Sequence, residues 1–402
     1  MEKKTIALVI PWYGDSIRGG AEMECNSLAH SLSAAGYPVE VFTTCVKDAA
    51  CDRGKNTMAP GLYMESGIPV RRFLVREERD VEKYDRANLR IYRNEPFTSE
   101  DEEIYFREDI NSDEMYAYIT ENKENYRAFI FIPYMYGITY NGSSCCKEKS
   151  VLIPCLHDES YAYMQVLKKK MNEFRGMVFN AEPERELAKK LYGLDGVYTE
   201  LAGVGIDTDW HRAVDPEAFR KKYGIQDEFI LYAGRKDAGK KADELIRFFL
   251  QYKRDMKNKH LKLVLIGGGE LPVLVPETYR SEVIDLGFVS VEDKHNAFAA
   301  CTVFCNPSYF ESFSIVIMEA WLAKRPVLVS AHCEVTTDFA RKTNGGLWYE
   351  NYWEFRECVG YLLSHRSEGR EMGENGCRYV LENFAHGKIA EKYLAFVEEC
   401  GL

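Results

Sequence analysis

Short apolar runs alternate with longer amphipathic stretches at the start of the chain. Residues 6–10 form a continuous apolar run, and residues 21–35 then place apolar side chains at helical spacing. Gly36 ends this pattern, and a second apolar run follows at 39–42. Buried strands joined by amphipathic helices are typical of parallel sheets that carry helices on both faces. The pattern therefore predicts an open α/β fold.

The same alternation returns further along the chain. More apolar runs predict strands that extend the first sheet and then build a second one: 129–132, 151–156, 177–180, 229–233, 261–266, 283–286, 303–305 and 326–330. A Gly-Val-Gly-Ile-Asp turn within 203–209 separates the two groups and suits a hinge. A length of 402 residues also suits two domains. We predict two doubly wound, Rossmann-like domains in series, 1–205 and 206–385.

Residues 76–126 differ in composition from the rest of the first domain. They are crowded with charge and tyrosine and show few apolar clusters. We interpret the segment as a partly helical elaboration of the first domain. Its acidic residues are expected to form a solvated face rather than a binding site.

Composition narrows the function. A net charge of −11 argues against a protein that coats DNA or RNA, although a local basic pocket stays possible. The apolar run that ends before Pro11 is too short for a secretory signal or a membrane span. Twelve cysteines are scattered without the spacing of metal ligands. These features predict a cytoplasmic protein with reduced thiols and no zinc site.

Two glutamates, Glu311 and Glu319, lie eight residues apart around the predicted start of a helix at Ser314. Free backbone N–H groups at 312–315 would form an anion site beside carboxylates that can accept hydrogen bonds from hydroxyls. We predict an apolar face on this helix that consists of Ile315, Val316, Met318 and Leu322. The site suits a phosphorylated sugar. A capping acid followed by an ordinary helix-face glutamate is the plainer alternative.

Three further groups are candidates. Gly234, Arg235 and Lys240 follow the predicted strand 229–233, where open α/β sheets place ligands, and both cations could contact phosphate. Gly19-Gly20 enters the first helix, and His157 follows the predicted strand 151–156. For the group after strand 229–233, the alternative is a set of surface cations. Gly19-Gly20 could be an ordinary tight turn, and His157 could be a structural histidine.

Taken together, these motifs resemble the retaining, family 4 glycosyltransferases of GT-B fold. The likeness covers most of the chain and rests on a set of short matches: the Glu311 to Glu319 stretch, Gly234-Arg235 with Lys240, Gly19-Gly20, Pro326-Val327 and the closing Asn383-Phe384-Ala385-His386. It implies an acceptor-binding first domain and a nucleotide-sugar-binding second domain that face each other across a cleft. Residues 386–402 would then form a helix that returns to the first domain.

The resemblance also assigns roles at the phosphate and the sugar. Arg235 and Lys240 would neutralise the donor diphosphate. Glu311 would bind hydroxyls of the transferred sugar, and Glu319 those of the ribose. His157 would lie beside the sugar ring.

Backbone groups complete the implied donor site. N–H groups of Phe313, Ser314 and Ile315 would lie near the sugar, and Gly20 would let a loop approach the phosphate. The turns that contain Gly268 and Phe288 would contact the nucleobase. Members of this family need no metal, and the donor is a co-substrate rather than a cofactor.

Three residues depart from the family pattern. Lys241, Ser314 and Arg325 stand where the family often has glycine. None of these changes removes an implied catalytic group. Ser314 leaves the identity of the donor sugar open.

The sequence therefore predicts a retaining, metal-independent hexosyltransferase of polysaccharide or glycan assembly. A GT-B epimerase or hydrolase, or a non-catalytic sugar-nucleotide-binding protein, is the alternative. The acceptor could be a glycan, a lipid-linked molecule or a small molecule, and no nucleic acid is expected. Residues 163–175, with three consecutive lysines, are a candidate for peripheral contact with the inner membrane face; a solvated lysine run is the alternative.

Overall fold

A computed structural model describes residues 3–14, 19–258 and 260–402. The start of the chain and residues 15–18 of the turn predicted at 11–19 lie outside this description. The chain divides into two compact units. One contains Met1–Gly205 together with His386–Leu402, and the other contains Ile206–Ala385.

The first unit is an α/β layer structure built on one sheet. Within the described residues its strands are Thr5–Val9 (β1), Val39–Thr44 (β2), Gly61–Glu65 (β3), Ile68–Phe73 (β4), Tyr126–Phe131 (β5), Ser150–Leu152 (β6), Gly176–Phe179 (β7) and Tyr198–Leu201 (β8). Their order is β3-β4-β2-β1-β5-β6-β7-β8, and only β3 runs antiparallel to its neighbour. The central strands are buried because helices cover both faces of a parallel sheet.

Several helices of this unit lie between its strands in the described residues. They are Gly20–Ala34 (α1), Val81–Tyr92 (α2), Ser99–Glu108 (α3), Asp113–Asn122 (α4), Gly137–Gly142 (α5), Gln165–Met171 (α6) and Glu182–Tyr192 (α7). The predicted strand at 151–156 is shorter than expected and ends at Leu152. His157 therefore lies in a loop five residues beyond the strand, and not directly at its end.

Residues 76–126 are partly helical, as predicted, and most of their acidic side chains are exposed, but the segment also contributes core residues that the sequence analysis did not predict. The segment forms α2, α3 and α4, and Phe106, Met115 and Ile119 are fully buried in the core of the first unit. Three of its acidic residues, Asp101, Glu102 and Asp109, are buried as well. Asp101 caps α3, and Glu102 accepts hydrogen bonds from the backbone at the start of α6 at 2.8 and 2.9 Å. The charged residues of this segment therefore lie next to aromatic core residues in the sequence, and some of them cap helices.

The predicted lysine run at 168–170 is also not continuous on the surface. Lys170 is buried, and its ammonium donates to the Ser144 hydroxyl at 2.8 Å. Burial lowers the pKa of Lys170 to about 8. Only Lys168 and Lys169 of the run are exposed. None of the helices in the described residues combines the length and apolar content that crossing a bilayer requires.

Two buried carboxyl groups lie beside α1. Glu24 of α1 accepts hydrogen bonds from Asn180 at 3.0 Å and from the Cys155 thiol at 3.3 Å, and burial raises its pKa to about 7. Glu184 of α7 accepts from the backbone N–H groups of Leu156 and Asn180 at 2.6 Å each, and burial raises its pKa to about 8. Among the described residues, Oε1 of Glu24 has no hydrogen-bond partner. In the protonated carboxyl group, the O–H can donate a hydrogen bond.

These carboxyls are expected to make the first unit less stable as the pH rises. Their folded pKa values exceed the ordinary value of 4.5, so their contribution is complete below pH 4.5 and is lost as the pH rises through about 7 and about 8. Glu24→Gln should make the fall in unfolding free energy between pH 5 and 7 less steep, by up to about 1.4 kcal/mol per pH unit. Urea unfolding at a series of pH values across this range measures the slope of the unfolding free energy against pH. Exposed Glu186→Gln on the same helix as Glu184 is the control, and equal slopes for both variants would refute the account.

The second unit has a fully parallel sheet. Within the described residues its strands are Glu228–Ala233 (β9), Leu261–Ile266 (β10), Val283–Asp285 (β11), Val303–Asn306 (β12), Val327–Ser330 (β13) and Gly346–Tyr349 (β14). Its helices are Pro216–Tyr223 (α8), Ala242–Met256 (α9), Val291–Ala300 (α10), Ile315–Leu322 (α11), Glu334–Thr343 (α12), Tyr352–Ser364 (α13) and Arg366–Asn383 (α14). The strand order is β11-β10-β9-β12-β13-β14. Strand β9 therefore pairs with β12, and the winding direction of the chain reverses between them.

The last helix, His386–Glu399 (α15), belongs to the first unit. It packs on α1, where the His386 ring lies 2.8 Å from the Ser31 hydroxyl. Its C-terminal half contacts β7, since a Cβ at Gly176 would lie 2.6 Å from the Phe396 ring. The C-terminal residues thus complete the core that the N-terminal residues begin.

Candidate functional site

The strand order places a crevice between β9 and β12 in the second unit. Open α/β sheets bind ligands outside the carboxyl ends of their strands where the winding direction reverses. Gly234 directly follows β9, and Asn306 is the last residue of β12. The two motifs singled out in the sequence, 234–240 and 306–319, both continue from this edge.

Lys240 and Glu311 meet at this edge. The Lys240 ammonium donates to the Glu311 carboxylate at 2.8 Å, and the two side chains are 31% and 13% exposed. Asn306 donates to the Ser314 hydroxyl at 2.8 Å and to the same carboxylate at 3.4 Å. A cation, a carboxylate and two small polar groups therefore surround one position. The cation remains open to a ligand because a third of its side chain is exposed.

Helix α11 begins beside this cluster. It starts at Ile315 and not at Ser314, which precedes it in a left-handed conformation with φ 78°. Its N-terminal N–H groups lack partners within a helix and favour anions. The predicted apolar face is confirmed for Met318 and Leu322, which are buried, and wrong for Ile315 and Val316, which are only half-buried. The completely buried Ile317 and Trp321 were not predicted.

Two of the three departures from the resembled family lie at turns that favour glycine. Lys241 has φ 55° and Ser314 has φ 78°, both in the left-handed region. A side chain in that region costs roughly 1–2 kcal/mol. The chain therefore keeps these turns despite the missing glycines. The third, Arg325, donates to the Ala299 carbonyl and follows Lys324, whose φ is 57°.

Glu319 is held inside α11 with one oxygen in use. It is buried at 6% exposure, and its Oε1 accepts a hydrogen bond from the ammonium of Lys294 on α10. Within the described residues Oε2 has no hydrogen-bond partner. This buried acceptor fits the predicted role of binding a hydroxyl. Sequence reasoning missed Lys294, since nothing in its spacing signals a partner 25 residues away.

The carboxyl ends of β9, β10 and β11 form a set of glycine turns. A Cβ at Gly267 would lie 2.1 Å from the Gly234 carbonyl oxygen, so only glycine fits there. A Cβ at Gly268 would lie 2.7 Å from the ring of Phe288, which is 75% exposed. The structure thus brings Gly234, Gly268 and Phe288 together, as the predicted donor site requires.

The cations after β9 differ in their environments. Arg235 is largely exposed, and its ion-pair partner is the neighbouring Asp237 at 3.3 Å. Lys236, which the sequence analysis did not single out, has a fully buried side chain that contacts Asp285 at 2.8 Å and the Gly267 carbonyl at 2.6 Å. Arg235 is therefore free to reorient toward a ligand, whereas Lys236 is part of the scaffold.

Next to the Glu319 pair lies a neutral histidine. His295 of α10 stacks on Trp210 with ring centroids 3.8 Å apart. Burial, and then the neighbouring Lys294, lower its pKa to about 4. His295 therefore adds no positive charge to this region at neutral pH.

The remaining candidates lie in the first unit. Gly19 caps α1, and a Cβ there would meet the Glu22 carboxylate, which also accepts from the Trp12 indole N–H. At Gly20 a Cβ would meet no described atom within 4 Å, so packing within this unit does not require glycine. His157 is 28% exposed and lies 3.4 Å from the Glu159 carboxylate.

The part of the chain that the structure describes contains no group of three or more His, Cys, Asp or Glu residues arranged to hold a metal ion. The cations beside Glu311 and Glu319 come from lysine side chains.

Comparison with known proteins gives the second unit a family likeness. Residues 215–378 match the family model described as Glycosyl transferases group 1. An uncharacterized glycosyltransferase of Methanocaldococcus jannaschii is 27% identical over 195 residues, which are 47% of this chain and 46% of that protein. A D-inositol 3-phosphate glycosyltransferase of Nocardia farcinica is 26% identical over 211 residues, 49% of this chain and 47% of that protein. The chain thus spans about half the length of these relatives.

Another relative is more similar over a shorter stretch. The N-acetylgalactosamine-N,N'-diacetylbacillosaminyl-diphospho-undecaprenol 4-alpha-N-acetylgalactosaminyltransferase of Campylobacter jejuni is 35% identical over 131 residues, 30% of this chain and 34% of that protein.

Solved structures resemble the chain over its whole length. Sucrose-phosphate synthase from Thermosynechococcus elongatus has a TM-score of 0.69 at 16% identity and covers 99% of both chains. HepE of Anabaena, in complex with UDP and glucose, has a TM-score of 0.69 at 15% identity, covering 98% of this chain and 100% of that one. These likenesses confirm the predicted GT-B fold. The second unit carries a domain like that of the group 1 glycosyl transferases.

Proposed function

We propose that this protein is a glycosyltransferase that moves a hexosyl unit from a nucleotide-diphosphate sugar to an acceptor. The observation that carries the proposal is the Lys240–Glu311 pair at the reversal point of the second sheet, beside the N-terminus of α11. The group 1 domain match and the glycosyltransferase relatives support it. The structural neighbour with bound UDP and glucose supports a nucleotide-sugar donor.

In this proposal Lys240 and Arg235 stabilise the leaving diphosphate. Negative charge develops on the phosphate as the glycosidic bond breaks, and a fixed cation favours that charge. Lys240 is already positioned by its contact with Glu311, and exposed Arg235 can approach once the donor is bound. The N-terminus of α11 adds a favourable field for the same charge.

The two carboxylates orient the donor. Glu311 would bind sugar hydroxyls next to Ser314, and the unpaired Oε2 of Glu319 would accept from the ribose. Each carboxylate already pairs with a lysine ammonium. Neither is expected to transfer a proton. An epimerase or hydrolase needs a free acid and base at the anomeric carbon, so this pairing favours transfer.

We further propose that transfer proceeds with retention, by attack of the acceptor on the face that the leaving group vacates. No protein nucleophile takes part in such a reaction. Proton NMR of the glycosidic product tests this point through the anomeric coupling constant. Retention gives the anomer of the donor; the opposite anomer would refute the mechanism.

Activity is expected to persist in excess EDTA. Lys240, Arg235 and the α11 N-terminus would supply the charge stabilisation that a divalent ion supplies elsewhere. Turnover of the donor should be measured with EDTA, with added magnesium, and with added manganese. Loss of activity in EDTA that magnesium or manganese restores would overturn metal independence.

The acceptor would be bound by the first unit, and its chemistry stays open among a glycan, a lipid-linked molecule and a small molecule. We propose a place in cell-surface polysaccharide or glycan assembly. The lipid-linked substrate in the name of the Campylobacter jejuni relative supports this setting. In this setting the protein would be cytoplasmic and would contact the inner membrane face peripherally.

A further inference from the structure

A buried lysine connects the three glycine-containing turns that follow β9, β10 and β11 in the second unit. The side chain of Lys236 is completely buried after β9, and its ammonium contacts the Gly267 carbonyl at 2.6 Å after β10. The same ammonium contacts the Asp285 carboxylate at 2.8 Å at the end of β11. One cation thus connects the carboxyl ends of three neighbouring strands.

Backbone hydrogen bonds follow the same path. The Lys236 N–H donates to the Gly268 carbonyl at 2.9 Å, and the Gly267 N–H donates to the Gly287 carbonyl at 2.7 Å. Asp285 in turn accepts from the Gly287 N–H at 3.0 Å. The position of each turn therefore depends on the others, with the Lys236–Asp285 ion pair at the centre.

The glycine conformations explain why such a tie is needed. Gly267, Gly269 and Gly287 have φ values of 118°, 91° and 62°, which leave the backbone free to adopt other conformations. Without a fixed partner these turns would sample several arrangements. The ion pair selects one arrangement; its lysine side chain is completely buried, and its aspartate side chain is 25% exposed.

Phe288 extends from the third turn beside the second. Its ring packs over Gly268 and is 75% exposed, so it presents an aromatic face on which a base can stack. Backbone N–H and C=O groups of the adjacent turns can then read the edge of the base. The positions of these groups decide which base fits.

We infer that Lys236 is the positioning residue for the nucleobase end of the donor site, and that its ion pair with Asp285 sets the preference among nucleobases. The inference rests on the proposed nucleotide-sugar function. The Lys236 ammonium is engaged by the Gly267 carbonyl and the Asp285 carboxylate. It acts through the turns, so its loss should affect donor affinity and base preference and leave turnover at saturating donor nearly unchanged.

The chain provides a matched control at the opposite end of the same strands. Lys253 is also buried, and its ammonium contacts the Leu261 carbonyl at the start of β10 at 2.8 Å. It also pairs with Glu282, just before β11, at 3.1 Å. Lys253→Met removes the same kind of interaction from the same sheet, but at the edge that faces away from the glycine turns.

The test is calorimetric binding of UDP, GDP, ADP and inorganic pyrophosphate to the wild-type protein, Lys236→Met and Lys253→Met. We expect Lys236→Met to weaken the binding of the preferred nucleoside diphosphate about tenfold or more. The ratio of its affinity to that of the second-best nucleoside diphosphate should fall to about threefold. Pyrophosphate binding and kcat should change by no more than about twofold. Lys253→Met should lower the unfolding temperature similarly and leave all affinities within about twofold.

Equal binding profiles for the two variants would overturn the inference and leave the proposed function intact. Wild-type protein that binds none of the nucleoside diphosphates would contradict the proposed function, and the inference with it. If Lys236→Met does not fold, Lys236→Met combined with Asp285→Leu replaces the pair by apolar groups and restores packing. That double variant should fold and still lose base preference; retained preference would overturn the inference.

Discussion

Lys240→Met is expected to lower kcat/KM for the donor by about 10²–10³-fold, because it removes a fixed cation from the site where leaving-group charge develops. The side chain keeps its length, so packing is preserved, and Glu311 retains a hydrogen bond from Asn306. Steady-state kinetics with the preferred nucleotide sugar measure the effect. The loss should appear both as weaker donor binding and as a lower kcat, since the cation contacts the bound diphosphate and this contact strengthens in the transition state.

The control for this variant is an ion pair of similar kind outside the site. Lys222 of α8 contacts Asp293 of α10 at 2.6 Å, and Lys222→Met should leave kcat/KM within about twofold. Glu311→Gln should keep the shape of the pH–rate profile, because that carboxylate is proposed to orient hydroxyls and not to transfer a proton. Wild-type rates in Lys240→Met would exclude the proposed phosphate site.

Gly376→Ala is expected to destabilise the second unit by about 3 kcal/mol or more. A Cβ at Gly376 of α14 would lie 2.1 Å from the ring of Trp321 on α11. This ring is completely buried and donates to the Gly345 carbonyl at 2.9 Å, so it cannot move aside without losing a hydrogen bond. The added methyl group must therefore displace α11, which also carries Glu319.

The measurement is thermal unfolding followed by tryptophan fluorescence, since four of the five tryptophans lie in the second unit. The unfolding temperature should fall by roughly 6–12 °C. Gly360→Ala on α13 is the control, because a Cβ there meets no described atom within 4 Å and alanine favours a helix by about 0.5–1 kcal/mol. Equal unfolding temperatures for the two variants would contradict this description of the α11–α14 contact.

Much of the fold could be predicted because parallel strands are buried on both faces. Such strands appear in the sequence as short apolar runs, and the run at 261–266 coincides with β10. The candidate site could be located for the same reason. Motifs that directly follow strands, such as those of Lys240 and Glu311, are brought to one edge by the topology of a doubly wound sheet.

What could not be predicted depends on pairs that are distant in the sequence. Lys236 lies 49 residues from Asp285, and no local pattern distinguishes it from the exposed Arg235 beside it. The core residues of the segment 76–126 were missed for a different reason. Most of its acidic side chains are exposed, but a few, such as Asp101, cap helices and pair within the unit, so the high charge density did not reveal the buried aromatic and aliphatic residues between them.

The central claim is that the second unit binds a nucleotide-diphosphate sugar at the Lys240–Glu311 pair. Isothermal titration calorimetry against UDP-, GDP-, ADP- and CMP-sugars tests it most directly, with Lys240→Met titrated in parallel. We predict saturable one-to-one binding of one nucleotide-diphosphate sugar to the wild-type protein and at least about tenfold weaker binding to the variant. Failure to bind any of the UDP-, GDP- and ADP-sugars, or equal affinity in the variant, would contradict it.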